Sequence, residues 1–247
     1  MSAAAEVQAY LTSLHLPPTE SWLSSFTSTV RNTTPLAGLK KTSLFRILQS
    51  DIRTSLLSNS SNTLPSTATS PTTKQTILRG TIPVQVLDIT DIGHSTWSQI
   101  ERLEQSARGG TSRGREIIRL APEAEDEADS NNHETASTST STSTTADTRA
   151  RGPIKVLLQD SDGAVIFAFE LQRIEPLGSI AIGAKMLLKD VVVNRGVVML
   201  EDRTVEILGG KVEAWDQEWK NGRIASLRAQ VGASSGGGGG GGGQSGG

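Results

Sequence analysis

Alternating apolar and polar residues between positions 154 and 208 constrain the fold of this chain more than any other feature. Residues 154–159 predict a strand, and the Asp-Ser-Asp-Gly sequence at 160–163 predicts a tight turn, because Asp and Gly accept the positive φ of hairpin turns. Short strands separated by turns at this spacing are typical of a small barrel or sandwich. Later strands are predicted at 185–193, 197–200 and 203–208.

The strand predicted from 165 to 171 has the strictest alternation in the chain. Val165, Phe167, Phe169 and Leu171 share one face, and this apolar face is predicted to point into the barrel. The opposite face would then present no aromatic ring on which a base could stack. The pattern therefore does not favour direct binding of single-stranded nucleic acid.

The N-terminal part of the chain, residues 1–57, is predicted to be a small helical bundle. Apolar residues recur there at helical spacing in three groups, the clearest of which runs from Leu44 to Leu56. A structural bundle is the favoured interpretation, and a docking or DNA-contacting module is the alternative. Residues 58–76 are rich in Ser, Thr, Asn and Pro and are predicted to be a linker. The first strand of the barrel follows in the domain assigned to residues 77–231.

A long segment, residues 92–151, separates the first predicted strand from the second. Its first part contains apolar side chains with no obvious place in a barrel, and its last part, 121–150, has too little apolar content to fold. Apolar loop residues are costly in water unless a partner covers them. We therefore expect a partner protein to bind this insertion through Ile92, Trp97, Ile100, Leu103, Arg113, Arg115, Ile117 and Ile118.

The rest of the chain gives little support for catalysis. It has no Cys, and its three His residues lie in different segments without ligand spacing, so no metal or cofactor site is predicted. Residues 178–185 resemble a phosphate-binding loop only superficially, because Met186 replaces the required Ser or Thr. The net charge of -2 argues against strong nonspecific nucleic-acid binding. A closing helix is predicted at 211–231, followed by a disordered Gly-rich tail at 232–247.

Three stretches of the barrel region carry a resemblance to a known family. They are Leu-Gln-Asp-Ser-Asp-Gly at 158–163, Gly-Ala-Lys-Met-Leu-Leu at 183–188 and Val-Glu-Ile-Leu-Gly-Gly-Lys-Val at 205–212. With the order of the predicted elements, they resemble the RecQ-mediated genome instability protein 1 family. The resemblance implies an α+β chain: a helical bundle, then an oligonucleotide/oligosaccharide-binding (OB) barrel with a long insertion after its first strand, and a C-terminal helix.

The resemblance also implies a function and a location. Members of this family are non-enzymatic subunits of a nuclear complex with a RecQ helicase and topoisomerase III, which dissolves double Holliday junctions. The insertion, residues 92–151 here, is expected to contact the topoisomerase, and DNA is expected to be reached mainly through the complex. The chain is similar to the short fungal form, and no membrane or small-molecule partner is expected. The alternative function is that of a single-stranded-DNA-binding barrel acting alone.

Overall fold

A computed structural model describes residues 3–30, 35–108 and 151–235. Within them the α+β class is confirmed: a helical N-terminal unit precedes a closed barrel, and a long helix follows the last strand. In the described part of the chain, no helix combines the length and apolarity needed to cross a bilayer. The tail predicted to be disordered lies outside the described residues from position 236 onward.

The N-terminal unit contains four helices rather than three. They are Ala3–Ser13 (α1), Glu20–Thr29 (α2), Leu36–Leu48 (α3) and Ile52–Ser55 (α4). Asp51 divides the third predicted pattern, because its carboxylate accepts a hydrogen bond from Arg53 N at 3.0 Å and so begins a new helix. The buried residues that these helices share are Val7, Leu11, Leu16, Leu23, Phe26, Ile47, Ile52 and Leu56.

Six strands form the barrel in the order β1-β2-β3-β5-β4-β6. Strand β1 has 17 residues, and it closes the barrel because its first part pairs with β4 and its last part with β2. Two bulges bend it, one of them at Gly80, where φ is 85°. Strands β3 and β5 are parallel, and the other pairs are antiparallel. The strands are Gln75–Asp91 (β1), Ile154–Gln159 (β2), Val165–Glu170 (β3), Lys185–Asn194 (β4), Val197–Leu200 (β5) and Val205–Gly209 (β6).

The segment predicted to be a linker packs against the barrel. It contains a short helix, Ser66–Thr69 (α5), and its Leu64 and Ala68 are buried in the barrel core. Leu64 N also donates to Asp160 Oδ2 at 2.7 Å. The sequence predicted a linker because this segment has few apolar side chains. Two of them are nevertheless enough to hold the segment against the barrel wall.

The orientation of β3 is opposite to the prediction. Ile166, Ala168 and Glu170 are buried, whereas Val165 and Phe167 are exposed by 47% and 48%. Glu170 lies inside because both of its carboxylate oxygens accept hydrogen bonds from Arg151 at 2.8 Å. Burial alone would raise the pKa of Glu170, but the hydrogen bonds from Arg151 and from two backbone amides outweigh burial and lower it. The alternation correctly predicted which residues of β3 share a face. It did not predict which of the two faces points into the barrel.

The Asp-rich turn after β2 is confirmed as structural. Asp160 Oδ1 accepts hydrogen bonds from the backbone amides of Asp162 and Ala164, at 3.0 and 2.8 Å. Together with the contact to Leu64, these bonds use both oxygens of the carboxylate. The turn thus fixes the β2–β3 hairpin and holds the preceding segment against it.

A buried polar cluster joins the helical unit to the barrel. The Lys185 ammonium donates to the carbonyls of Ser50 and Gly183 at 2.5 and 2.6 Å, and burial lowers the pKa of Lys185 to about 8. Gln85 Nε2 donates to Asp51 Oδ1 at 2.8 Å, and Gln85 Oε1 accepts from Ile52 N at 3.0 Å. The two units therefore meet through specific hydrogen bonds.

The insertion leaves and re-enters the barrel at one narrow point. Ile92 N donates to Pro153 O at 3.0 Å, and a Cβ atom placed on Gly93 would lie 2.4 Å from Gly152 Cα. Only glycine allows two backbones to approach so closely. Within the insertion the described part contains one helix, Thr96–Ala107 (α6), which packs against the C-terminal helix, Glu213–Ser235 (α7).

Candidate protein-binding site on helices α6 and α7

Helix α6 is fixed to the end of β1 by its first residues. Ser95 Oγ accepts a hydrogen bond from Ser98 N at 3.2 Å and caps the helix. Gln99 Nε2 donates to the carbonyls of Asp91 and His94, at 2.8 and 3.0 Å. These contacts explain why a segment with little core of its own holds a defined orientation beside the barrel.

Asp91 and His94 form a polar hinge at the base of α6. The His94 ring Nδ1 lies 2.8 Å from Asp91 Oδ2, and Gly93 N donates to Asp91 Oδ1 at 2.9 Å. Partial burial would raise the pKa of Asp91, but these hydrogen bonds outweigh burial and lower it. The carboxylate therefore stays ionised and keeps the start of the insertion in place.

Helix α7 supports α6 from the other side. Arg228 Nη2 donates to Glu104 Oε1 at 2.6 Å, and Trp219 Nε1 donates to Asp88 Oδ1 of β1 at 2.7 Å. The Arg223 guanidinium lies 4.8 Å from the Trp219 ring centroid and 3.7 Å from Asp88 Oδ1. The helix pair is thus attached to the barrel through an indole, a guanidinium and one carboxylate.

Helix α6 and the residues just before it expose apolar side chains that a partner could cover. Trp97 is 66% exposed, Ile92 is 47% exposed and Leu103 is 37% exposed. Tryptophan is the side chain most enriched among the residues that dominate binding energy in protein interfaces. This arrangement of an exposed indole on a braced helix is suited to protein recognition.

A cleft of about 430 Å³ lies between the two helices. It combines apolar walls with three cationic side chains and one carboxylate, and it opens beside Leu103. Lys220 is already paired with Asp216 Oδ2 at 2.6 Å, so Arg102 offers the freer positive charge. The lining residues are Asp91, Gln99, Arg102, Leu103, Trp219, Lys220 and Arg223.

The predicted partner-binding residues fall into three groups. Ile92, Trp97 and Leu103 lie on the exposed surface of the insertion, as anchors require. Ile100 is only 3% exposed, so it belongs to the support of α6 and not to its exposed surface. Arg113, Arg115, Ile117 and Ile118 lie outside the described residues.

Sequence reasoning did not assign the α7 side of the cleft. Trp215 and Trp219 are four residues apart on α7, and Trp219 packs against the barrel core while also lining the cleft. No sequence signal linked Arg223 to Asp88, because the two residues are brought together only by the path of α7 over β1. Among the described residues, no group of three or more His, Asp or Glu side chains is placed to hold a metal ion.

Comparison with known proteins matches both units of the chain. Residues 60–223 match the family model described as RMI1, N-terminal OB-fold domain, and residues 11–55 match RMI1, N-terminal helical domain. The chain is also similar to RecQ-mediated genome instability protein 1 of Schizosaccharomyces pombe, with 27% identity over 143 residues. That alignment covers 58% of this chain and 60% of the fission yeast protein.

Proposed function

Because this chain belongs to the RMI1 family, we propose that it acts in genome stability as a non-enzymatic scaffold. More specifically, we propose that the chain is a nuclear subunit of a complex containing a RecQ helicase and topoisomerase III. It binds the topoisomerase through the barrel and the insertion, and the complex dissolves double Holliday junctions. The name of the fission yeast relative, which refers to RecQ-mediated genome instability, supports the connection to this pathway.

The exposed Trp97 on the braced helix α6 is the observation that carries this proposal. A tryptophan exposed by 66% is costly in water, and the insertion exposes two further apolar side chains, Ile92 and Leu103. The hydrogen bonds of Gln99 and the ion pair of Glu104 hold the helix before any partner arrives. Because less ordering is then required on binding, such a pre-organised surface gains affinity.

The proposal is tested by the affinity of the full chain for purified topoisomerase III. Combined substitution of Trp97→Ala and Leu103→Ala removes the two exposed apolar side chains of α6 and leaves the buried Ile100 in place. Since truncation of central apolar anchors commonly costs more than about 2 kcal/mol, we expect the dissociation constant to rise roughly thirtyfold. Isothermal titration calorimetry gives the affinity, and circular dichroism checks that the helices remain folded.

Phe45→Ala is the matched control, because Phe45 is 61% exposed and lies on α3 of the helical unit. This variant should bind the topoisomerase as the natural chain does. Equal affinities for the natural chain and the Trp97/Leu103 variant would refute the role of α6. Arg113 and Arg115 stay predicted contributors of charge, and their replacement by Gln should make the association rate less dependent on salt.

A further inference from the structure

Arg223 is a buried cation whose hydrogen-bonding capacity is not used within the described part of the chain. The residue is 9% exposed, although an Arg guanidinium carries several N–H donors. The carboxylate oxygen beside it, Asp88 Oδ1, lies 3.7 Å away and already accepts a hydrogen bond from the Trp219 indole. No described residue forms a hydrogen bond with this guanidinium. A buried charge with free donors favours the binding of an anion.

The Trp219 ring holds this guanidinium in a defined position. The Arg223 guanidinium lies 4.8 Å from the ring centroid, and both side chains line the cleft between α6 and α7. Burial lowers the pKa of Arg223, and the negative charge of Asp88 opposes this shift. The planar fork of an Arg side chain matches the two oxygens of a carboxylate. The buried end of the cleft is therefore pre-organised for a carboxylate.

The α6 wall of the cleft supplies a second cation and an apolar contact. Gln99, Arg102 and Leu103 are three and four residues apart, which places them on one side of the helix. Arg102 Nε donates to Ser98 O at 3.4 Å, whereas its terminal nitrogens form no hydrogen bond or ion pair with a described residue. Leu103 is 37% exposed, so the apolar wall continues to the surface of α6. A carboxylate with a neighbouring apolar side chain would match both features.

The carboxylates around the cleft are already engaged within the chain. Asp91 lines the cleft, but one of its oxygens accepts from Gly93 N at 2.9 Å and the other lies 2.8 Å from the His94 ring. Asp216 pairs with Lys220 at 2.6 Å. Because these carboxylates have internal partners, the two guanidiniums of the cleft remain for an external anion.

We propose that the cleft binds one carboxylate side chain of a partner protein's acidic peptide segment, with an adjacent apolar side chain against Leu103 and Trp219. The buried Arg223 holds the carboxylate, and the exposed Arg102 adds positive charge at the opening. The cleft volume of about 430 Å³ is within the range of ligand pockets. This inference deepens the proposed function and rests on it only for the source of the peptide, because the cleft opens beside Leu103 onto the surface assigned to the topoisomerase.

Nucleic acid is a less suitable occupant of this cleft. A strand would bring successive phosphates past Asp91 in the wall, past Glu101 on α6 and past Glu218 on α7. Sites for single strands combine a positively charged groove with several stacking rings. Among the described residues, Trp219 is the one ring that lines the cleft, and the Arg223 guanidinium lies over it. The cleft therefore matches a single carboxylate better than a polyanion.

The indole signals in ¹H–¹⁵N NMR spectra of the full chain test the proposal, because Trp219 lines the cleft whereas Trp22 packs in the helical unit. The probe is the blocked peptide Gly-Ser-Leu-Asp-Leu-Ser-Gly. The comparison probes are the same peptide with Asn in place of Asp, which keeps the size and the apolar side chains, and a 20-nucleotide oligo(dT). A Trp219→Phe variant assigns the signal.

We expect the Asp peptide to shift the Trp219 signal saturably and to bind at least about tenfold more tightly than the Asn peptide, while the Trp22 signal stays in place. No shift with the Asp peptide, equal affinity of the two peptides, or tighter binding of oligo(dT) would overturn the proposal. A shift of the Trp219 signal on dilution of the chain alone would point to a second copy as the occupant and would overturn it as well.

Three Arg variants locate the binding in the cleft. Arg223→Lys keeps the positive charge but removes the planar fork, and it should weaken binding of the Asp peptide about tenfold. Arg102→Gln changes an exposed side chain, so α6 should stay folded, and binding should weaken about threefold. Arg203→Gln is the control, because Arg203 pairs with Glu201 at the surface and does not line the cleft. Natural affinity in both cleft variants, or equal loss in all three, would contradict the assignment.

The failure of this inference can be told apart from the failure of the proposed function. If topoisomerase III does not bind the full chain while the Asp peptide binds the natural chain and not Arg223→Lys, the proposed function fails and the cleft assignment stands. If topoisomerase III binds the natural chain and Arg223→Lys equally and the peptide binds neither, the cleft assignment fails and the proposed function stands.

Discussion

The two faces of strand β3 differ in a way that hydrophobicity alone does not predict. The inner face carries Ile166, Ala168 and Glu170, whereas the outer face carries Val165 and Phe167. The Phe167 ring therefore lies outside and a carboxylate lies inside. The ion pair explains the position of the carboxylate, because Arg151 supplies a counter-charge for Glu170 inside the barrel.

A buried charge is tolerated where its hydrogen bonds are complete. Glu170 accepts two bonds from Arg151 and one each from the amides of Ile154 and Ile174. Four donors occupy the two carboxylate oxygens and replace the water lost on burial. On the other face, by contrast, the Phe167 ring is 48% exposed with the Lys155 ammonium 5.0 Å from its centroid, so much of the ring is available to an external partner.

The largest effect is expected for Glu170→Ala, which leaves the Arg151 guanidinium partly buried without its counter-charge. We expect the free energy of unfolding to fall by about 3–5 kcal/mol, measured by denaturant titration. Glu175→Ala is the control, because its ion pair with Arg173 is at the surface, and its effect should stay within about 0.5 kcal/mol. A loss below about 1 kcal/mol for Glu170→Ala would show that the pair is not needed to hold the inner face.

Acidification should remove the stabilisation that the ionised Glu170 carboxylate contributes. The folded-state pKa of Glu170 is lowered, so its stabilising effect is present above the ordinary carboxyl pKa and is lost as pH falls through the folded value. The natural chain should therefore lose stability on acidification more steeply than Glu170→Gln, which cannot ionise at this position. Parallel acid profiles for the two proteins would argue against a paired carboxylate.

The buried charge of Lys185 differs from that of Glu170, because its described hydrogen-bond partners are carbonyl oxygens and not an oppositely charged side chain. Burial lowers its pKa from 10.5 to about 8, so the unfolded chain binds the proton more tightly. Stability should therefore rise with pH between about 8 and 10.5, by about 3 kcal/mol from this group. Denaturant titrations across this pH range should show the rise in stability in the natural chain and not in Lys185→Met. Identical pH profiles of the two proteins would contradict a lowered pKa of Lys185.

The smallest effect on stability is expected for Phe167→Ser on the outer face. The side chain is 48% exposed and pairs with Leu157 and Val197 across the sheet, so the free energy of unfolding should fall by only about 1 kcal/mol. Thermal unfolding followed by circular dichroism provides the measurement. A change above about 2 kcal/mol would mean that the ring supports the barrel, and it would remove the contrast between the two faces.

Much of this architecture could be predicted from the sequence, because alternation and turn chemistry act over short distances. The strands after position 154 and the Asp160 turn followed from local patterns. The inner face of β3 could not be predicted, since it depends on an ion pair between Arg151 and Glu170 across the insertion boundary. For the same reason, the support that Asp88 gives to α7 carries no local signal.

The close approach of Gly93 and Gly152 has a consequence for how this barrel can vary. Because these glycines bring both ends of the insertion to one point, the barrel closes there whatever number of residues lies between them. The entropy of closing a flexible loop grows only logarithmically, by about 0.6 kcal/mol for each doubling of length. The insertion is thus a site where length and composition can change across generations of sequences while the fold that carries it keeps its stability.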